Sequence, residues 1–221
     1  MKTFSLMLFV SVGITLALCG CATTREPAEP YEPWVPNVEA LRSCGEASTL
    51  GIRGPRFRMM MDDGCERLLN DLSMEFDYEL TNLSVAAPLR RIDGVFKLRE
   101  NPITSFHGLE RLESLGSVLL VISVPVRDAT GLGNLRLVEG DVRFMDNAQL
   151  NSFAGLDRLE RVGGLAIVRN PALENLDDLR GLRRVDGDLQ IIDNPGLSPE
   201  EIEDFLSHVE VGGRVQLAYD M

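Results

Sequence analysis

The chain has 221 residues, of which 34 are acidic and 22 are basic, so its formal net charge is −12 at pH 7. A surface with this charge repels phosphate backbones and anionic headgroups, which argues against nucleic-acid binding and nonspecific membrane adhesion. A cationic or neutral partner is favoured instead.

The first 20 residues have the layout of a secretory signal peptide. Lys2 supplies the positive charge near the N-terminus, and Phe4 to Leu18 form an apolar run. This run is shorter than the roughly 20 apolar residues that a membrane-spanning helix needs. Residues 1–20 are therefore predicted to direct export.

Two cysteines follow the apolar run, in the order Leu18-Cys19-Gly20-Cys21. This stretch resembles a lipobox, in which a cysteine receives a diacylglycerol and becomes the new N-terminus. The resemblance implies that Cys21 carries the lipid, because modification of Cys19 would place the bulky Leu18 directly before it. An ordinary cleaved signal peptide is the alternative. Ala22, standing where an aspartate would retain a lipoprotein at the inner membrane, favours the outer membrane, with the domain either periplasmic or surface-exposed.

Residues 21–36 are predicted to be a tether between the lipid and the folded domain. Prolines recur here at every third position: Pro27, Pro30, Pro33 and Pro36. Because proline fixes φ and removes a backbone donor, the segment should be extended and semi-rigid. Its aromatic residues, Tyr31 and Trp34, either form a small docking element or contact the headgroups or the domain surface.

Residues 37–71 are predicted to form an N-terminal cap. Cys44 and Cys65 are the cysteines that remain after the lipidated one, and export favours a disulfide between them. Closing a loop of about 20 residues would stabilise the fold by roughly 3 kcal/mol. A metal site is the alternative, but the histidines, His107 and His208, show no ligand spacing. We therefore predict neither a metal nor a cofactor.

Five segments repeat one pattern, an apolar residue at every third position. They are Leu80 to Ile92, Ile103 to Leu115, Val126 to Val138, Leu150 to Val162, and Leu173 to Val185. An α-helix advances about 100° per residue, so a period of three would smear around its surface. These positions share one face only if the backbone has about three residues per turn. Each segment is therefore predicted to be an irregular wall of a solenoid.

A short alternating run follows each of these segments, which indicates a β-strand. The predicted inward pairs are Phe96 and Leu98, Val118 and Leu120, Val142 and Phe144, Leu165 and Ile167, Leu189 and Ile191, and Val215 and Leu217. Met74 and Phe76 fit the same register as a first strand. The second member recurs at intervals of 22 to 26 residues.

An asparagine stands three residues after the inner strand position in four repeats, at Asn101, Asn147, Asn170 and Asn194. Stacked in register, these amides are expected to form a structural ladder that bonds neighbouring backbones. Ser123 is predicted to interrupt the ladder in the second repeat.

A short helix is predicted near the C-terminus. Ser198-Pro199-Glu200-Glu201 is a capping box with proline at the first helical position, and the helix should run to about Ser207. Residues 72–221 thus predict a β-rich, right-handed solenoid of about six to seven repeats with short parallel strands.

The pattern LxxLxxLxxLxxVxGxLxIxxNPxL, clearest in Leu173 to Leu197, resembles the receptor L-domain. This relative of leucine-rich repeats occurs in the ligand-binding ectodomains of insulin- and EGF-type receptors and in many bacterial lipoproteins. The resemblance covers about residues 65 to 221 and implies the same fold, with Cys44 and Cys65 placed where such domains commonly carry a cystine. It does not imply receptor signalling.

No catalytic motif is visible in the sequence: a nucleophile elbow, a phosphate loop and a Cys/His couple are all missing. We therefore expect a protein that is not an enzyme. Acidic pairs such as Asp177 and Asp178 are interpreted as solvated turns.

The outward face of the strands is the predicted binding surface. Alternation assigns to it Arg99, Leu119, Val121, Arg143, Met145, Val168, Gln190 and Ile192. Exposed aliphatic strips of this kind mark interfaces, although a covering loop or a plain aliphatic outer face is the alternative. The expected function is a membrane-tethered recognition module for a protein, peptide or glycan. A structural or assembly component of the cell envelope is the second hypothesis.

Overall fold

The computed structural model describes residues 32–44, 64–79 and 81–218. Residues Pro33–Met221 form one compact unit, which contains all the elements given below. The predicted signal peptide, the predicted lipidation site Cys21 and most of the predicted tether lie outside the described residues. Within the described ranges, no helix is both long and apolar enough to cross a membrane.

Thirteen strands and one α-helix are assigned in the described residues. Six strands have two residues each: β1 (Ser43–Cys44), β2 (Arg67–Leu68), β4 (Arg91–Ile92), β6 (Ser114–Leu115), β10 (Arg184–Val185) and β12 (Glu210–Val211). Five have four residues: β3 (Leu72–Glu75), β5 (Phe96–Arg99), β7 (Leu119–Ile122), β11 (Leu189–Ile192) and β13 (Val215–Ala218). Two longer strands are β8 (Leu137–Met145) and β9 (Arg161–Val168), and the helix is α1 (Pro199–His208).

These strands wind into a parallel β-solenoid of about six turns, as the repeats predict. The two-residue strands and the first parts of β8 and β9 pair in parallel along one side, here called the short-strand wall. The four-residue strands and the last parts of β8 and β9 form the long-strand wall. The short-strand wall was not predicted; its inward residues are the last members of the period-three segments.

The period-three segments form the third side, the ladder wall, and their apolar residues are buried throughout the described part. In each segment, the two middle steps of the ladder are closed by a hydrogen bond from a backbone N–H to the carbonyl three residues earlier. Examples are Leu109 N to Phe106 O at 3.1 Å and Leu112 N to Leu109 O at 2.9 Å. These three-residue turns explain why the apolar residues recur at every third position. Leu80, the first predicted member, lies outside the described residues.

One corner of the ladder wall is built in two ways. Gly108, Gly131 and Gly155 have φ of +106°, +109° and +101°, and each stands third in a turn closed by the i to i+3 hydrogen bond. That geometry is a type II turn, which requires positive φ at its third residue. In the first and last of the five segments, the 3₁₀ helices Ser84–Ala86 and Asp177–Leu179 occupy the same place. The corner therefore accepts a glycine turn or a helical turn.

The interior is continuous along the stack. Three phenylalanines meet edge to face. The ring of Phe144 in β8 lies 6.4 Å from that of Phe106, which is more than one turn earlier in the chain, and 5.1 Å from that of Phe153 in the segment after β8, between centroids. All three side chains are fully buried. Since each turn contacts mainly its neighbours, stacking is what gives the short strands a shared core.

The predicted register of the second repeat is wrong by one residue. Leu119 and Val121, assigned to the outward face, are fully buried and pair with the inward residues Phe96 and Leu98. Leu120, assigned inward, is only partly buried and lies on the outer face with Ile122. Because side chains alternate along a strand, the one-residue shift exchanges the two faces.

The first strand also differs from its prediction. Leu72 and Met74 point inward, whereas Phe76 lies beyond the end of β3 and is exposed. The inner position therefore recurs every 23 or 24 residues from Met74 to Ile191, and the last interval, to Leu217, is 26.

Six of the seven long strands end at a residue with positive φ. These residues are Phe76, Glu100, Ser123, Asp146, Arg169 and Asp193, with φ between 47° and 57°. Each still donates its N–H to the next turn, for example Asp146 N to Val168 O at 3.0 Å. The left-handed residue thus turns the chain out of the strand while the pairing between turns continues.

The predicted position of the gap in the asparagine ladder is wrong by one residue. Ser123 is a left-handed corner residue, equivalent to Asp146 in a later turn, and not a substitute for asparagine. The interruption is at Val124, which is buried and whose N–H donates to Asn147 Oδ1 at 3.0 Å.

Both ends of the described solenoid carry predicted features. Cys44 and Cys65 form a disulfide with a Cα–Cα distance of 5.7 Å. At the other end, the Ser198 hydroxyl accepts from Glu201 N, and the Glu201 carboxylate accepts from Ser198 N, which completes a capping box at the start of α1. Ile202 and Phe205 bury one face of α1 against the core.

Candidate functional site

Two columns of side chains face outward from the long-strand wall, one residue from each strand. The first column is Ser73, Lys97, Leu120, Arg143, Ala166, Gln190 and Gln216. The second is Glu75, Arg99, Ile122, Met145, Val168, Ile192 and Ala218. We call these two columns the outer face. Parallel pairing sets their spacing along each column at about 4.8 Å.

The middle of the outer face is aliphatic. Six adjacent positions on four strands form the strip: Leu120, Ile122, Met145, Ala166, Val168 and Ile192. Val168, near the centre, is only 5% exposed, and the others are partly buried. The strip is therefore contiguous across neighbouring strands, unlike the singly scattered apolar residues of an ordinary surface.

Ion pairs border the strip. On the N-terminal side, Lys97 Nζ lies 2.9 Å from Glu75 Oε2. The Arg99 guanidinium lies 5.2 Å from the centre of the Phe76 ring, a cation–π contact. In the middle of the face, Arg143 Nη2 lies 2.5 Å from Asp141 Oδ2.

A further pair stands at the left-handed corner beside the strip. Both Nε and Nη2 of Arg169 donate to the Asp146 carboxylate, at 2.6 and 2.9 Å. These hydrogen bonds hold the pKa of Asp146 below its ordinary value. The Asp146 carboxylate is thus held in its ionised form by two hydrogen bonds from Arg169.

The outer face is not flat at Ala166. The long side chains of Arg143 and Gln190 stand on either side of this small residue, and a shallow hollow of about 220 Å³ lies among them, with Met145 at its edge. Such a hollow can receive a single side chain of a partner.

Of the eight residues assigned to the binding surface, six lie on the outer face: Arg99, Arg143, Met145, Val168, Gln190 and Ile192. Leu119 and Val121 belong to the core instead. The outward positions of Leu120 and Ile122 were not predicted, because four consecutive aliphatic residues at 119–122 carry no alternation that would fix the register.

The four asparagines face the interior and bond successive turns. Asn147 Nδ2 donates to Val121 O at 3.1 Å in the preceding turn, and Asn147 N donates to Asn170 Oδ1 at 3.1 Å in the following one. Asn170 makes the equivalent contacts with Phe144 O and Asn194 Oδ1. Asn101 Nδ2 donates to Met74 O at 3.0 Å. These buried contacts give the asparagines a structural role.

The outer surface of the short-strand wall carries a second set of charges. Arg91 donates to Asp93 and Ser114 and, through Nη2, to Glu139 Oε1 at 2.9 Å, two turns further on. Its side chain is only 9% exposed. Burial lowers the pKa of Arg91, but the hydrogen bonds with Glu139 and Asp93 outweigh it, so the pKa lies above the ordinary value.

The described residues contain no group of three or more His, Cys, Asp or Glu side chains placed to hold a metal ion. Comparison of the chain with protein-family models, with curated proteins and with solved structures gives no match. Function must therefore be inferred from the surface of the solenoid itself.

Proposed function

We propose that this protein is a non-enzymatic recognition module that binds another protein or peptide through the outer face. The observation that carries the proposal is the aliphatic strip in its corrected register, which extends without interruption over four strands. The main-chain groups of these strands pair with their neighbours, so a partner would be bound by side chains.

Two finer assignments accompany this proposal. The repeat pattern and the observed parallel solenoid support a receptor L-domain-like, leucine-rich-repeat-like fold. The lipobox-like stretch supports export and attachment of Cys21 to the outer membrane, with the chain after it acting as a tether. A membrane-tethered domain of this architecture presents its outer face to partners in the envelope or at the cell surface.

Site-specific photo-crosslinking tests the outer face. A benzoylphenylalanine placed at Gln190 should yield a discrete adduct in intact envelopes, because Gln190 borders the hollow at Ala166. Met145→Asp should reduce that adduct at least tenfold, since a charge in the strip must be desolvated on binding. The same crosslinker at Thr130, an exposed residue of the ladder wall, is the matched control and should give no adduct.

Adduct formation from Gln190 that survives Met145→Asp in a protein with an unchanged unfolding midpoint would refute this surface. Equal adducts from Thr130 would show that capture is nonspecific.

The lipid anchor is tested by alkyne-palmitate labelling in a Gram-negative host. Cys21→Ser should abolish the label and release the protein from the membrane fraction, because lipidation needs the thiol. Cys19→Ser should leave both unchanged. Loss of the label in Cys19→Ser alone would show that Cys19 is the modified residue. Absence of the label in the unsubstituted protein would indicate an ordinary signal peptide.

A second candidate function, an assembly component of the envelope, is favoured by the last turn. Val215 and Leu217 pair with the buried Leu189 and Ile191, yet they are 46% and 37% exposed. An apolar solenoid end of this kind suits end-on packing. Crosslinking that is insensitive to Met145→Asp but abolished by Leu217→Asp would favour this function.

A further inference from the structure

A cleft on the short-strand wall has no part in the function proposed above. It lies between residues 33–38, which have no regular secondary structure, and the outer surface of the short strands. Its volume of about 510 Å³ falls within the range of small-molecule sites, roughly 300 to 1,000 Å³. Most of its lining is apolar, with charged groups at the floor.

The floor of the cleft is balanced in charge. Arg91 Nη2 lies 2.9 Å from Glu139 Oε1, and Arg161 Nε lies 2.8 Å from Asp186 Oδ2, so two positive and two negative groups are paired. Leu137 separates the two pairs, one strand before Arg161. A floor without net charge favours a neutral ligand over an anion or a cation.

Polar groups of the floor retain free hydrogen-bonding capacity. Glu139 Oε2 and both Nη atoms of Arg161 make no hydrogen bond to another described residue, and the two side chains are 49% and 40% exposed. The cleft thus offers one carboxylate acceptor and a fork of donors. This combination matches ligand groups that donate and accept together, such as neighbouring hydroxyls.

The wall opposite the floor is aromatic. The Trp34 ring packs against the Arg136 guanidinium, 4.9 Å from its carbon to the ring centre, and Arg136 is itself paired with Glu160. These contacts fix the ring, which also lines the cleft. An indole held in this way provides an apolar platform for a flat carbon-rich surface.

An extended peptide fits this cleft poorly. The short strands already pair with parallel neighbours on both sides, so their backbone groups cannot accept an added strand. On the other side, Pro33 and Pro36 lack backbone donors. The two walls therefore offer side-chain contacts in place of a free sheet edge.

We propose that this cleft binds a neutral saccharide. The C–H face of one sugar ring packs on Trp34 and Leu137, while hydroxyl groups donate to Glu139 and accept from Arg161. The site is separate from the outer face, so its ligand and the protein partner are independent of each other.

Trp34 is the single tryptophan of the chain and reports directly on the cleft. Titration of the full-length protein with cellotriose, maltotriose and chitotriose should give, for at least one of them, a saturable change in tryptophan fluorescence. The affinity should change less than twofold between 50 and 500 mM NaCl, because a neutral ligand releases few counterions. Arg161→Met should weaken it at least tenfold, since the donor fork is lost while the apolar stem remains.

Arg183→Met is the matched control, because Arg183 is exposed, precedes the same short-strand column and does not line the cleft. It should leave the affinity unchanged, and both variants should keep the unfolding midpoint of the unsubstituted protein. Failure of all three saccharides, saturation by the anionic amphiphilic dye anilinonaphthalene sulfonate alone, or equal weakening by both substitutions would each overturn the proposal. None of these results would affect crosslinking from Gln190, so the two proposals fail separately.

Discussion

Gly131→Ala is expected to destabilise the protein by about 3 kcal/mol, because the left-handed conformation and the overlap of the new methyl group are each unfavourable by roughly 1 to 3 kcal/mol. Gly131 has φ of +109°, and a Cβ there would lie less than 3.0 Å from the carbonyl group of Phe106 in the preceding turn. Neither the type II turn nor the stacked backbone can yield without separating two turns. Urea unfolding followed by circular dichroism measures the loss.

Gly133→Ala provides a matched control two residues away. Gly133 is exposed, its φ is not positive, and a Cβ there would meet nothing within 4 Å. This substitution should change the unfolding free energy by less than about 1 kcal/mol and is expected to be slightly stabilising, because alanine loses less entropy on folding. Similar losses of unfolding free energy for Gly131→Ala and Gly133→Ala would show that the glycine turn at Gly131 is not the constrained element.

Asn147→Ala is expected to cost about 2 to 3 kcal/mol, the typical penalty for leaving buried hydrogen-bonding groups without partners. Val124 N–H would lose its acceptor, the Val121 carbonyl would lose a donor in the preceding turn, and Asn170 Oδ1 would lose the Asn147 amide at 3.1 Å. Hydrogen exchange should accelerate most in the turns on both sides of Asn147, because neighbouring turns share these bonds.

Two further variants test whether the loss of stability in Asn147→Ala comes from the asparagine ladder or from a general intolerance of this region to substitution. Asn151→Ala changes an exposed asparagine four residues away and should be close to neutral. Val124→Asn places an amide at the interrupted step, where the loss of apolar burial is offset by new hydrogen bonds, so the net change should stay within about 1 kcal/mol. A large loss of unfolding free energy in Val124→Asn would mean that an amide cannot be accommodated at this step of the ladder.

The sequence predicted most of the fold because period three and period two are incompatible with one another and with an α-helix. The five period-three segments and the strands that follow them therefore appear where expected. The glycine corner was missed, although its signal is present: Gly108, Gly131 and Gly155 each stand directly before the third ladder residue. Only backbone conformation shows why these glycines matter and Gly133 does not.

The outward-facing residues were predicted correctly wherever the strand alternates between polar and apolar residues, as at Arg143 and Met145. At residues 119–122 every residue is aliphatic, so the preceding loop length alone determines which side faces inward. That length follows from the stacking of whole turns, a long-range constraint that local patterning does not contain.

The cleft beside Trp34 could not be predicted from the sequence, for a different reason. Its two walls come from residues 33–38 and from strands more than 50 positions further along the chain. The sequence left open whether Trp34 contacts the headgroups or the domain surface. In the structure its ring packs on Arg136, which belongs to the domain.

The left-handed residue at the end of six of the seven long strands has a consequence for how this surface could change in evolution. It stops each strand at the same place, so the outer face is always two outward side chains wide. An inserted turn would lengthen that face by about 4.8 Å and leave its width unaltered. Under the proposed function, the number of turns sets the length of the binding surface, independently of the residues that give each turn its specificity.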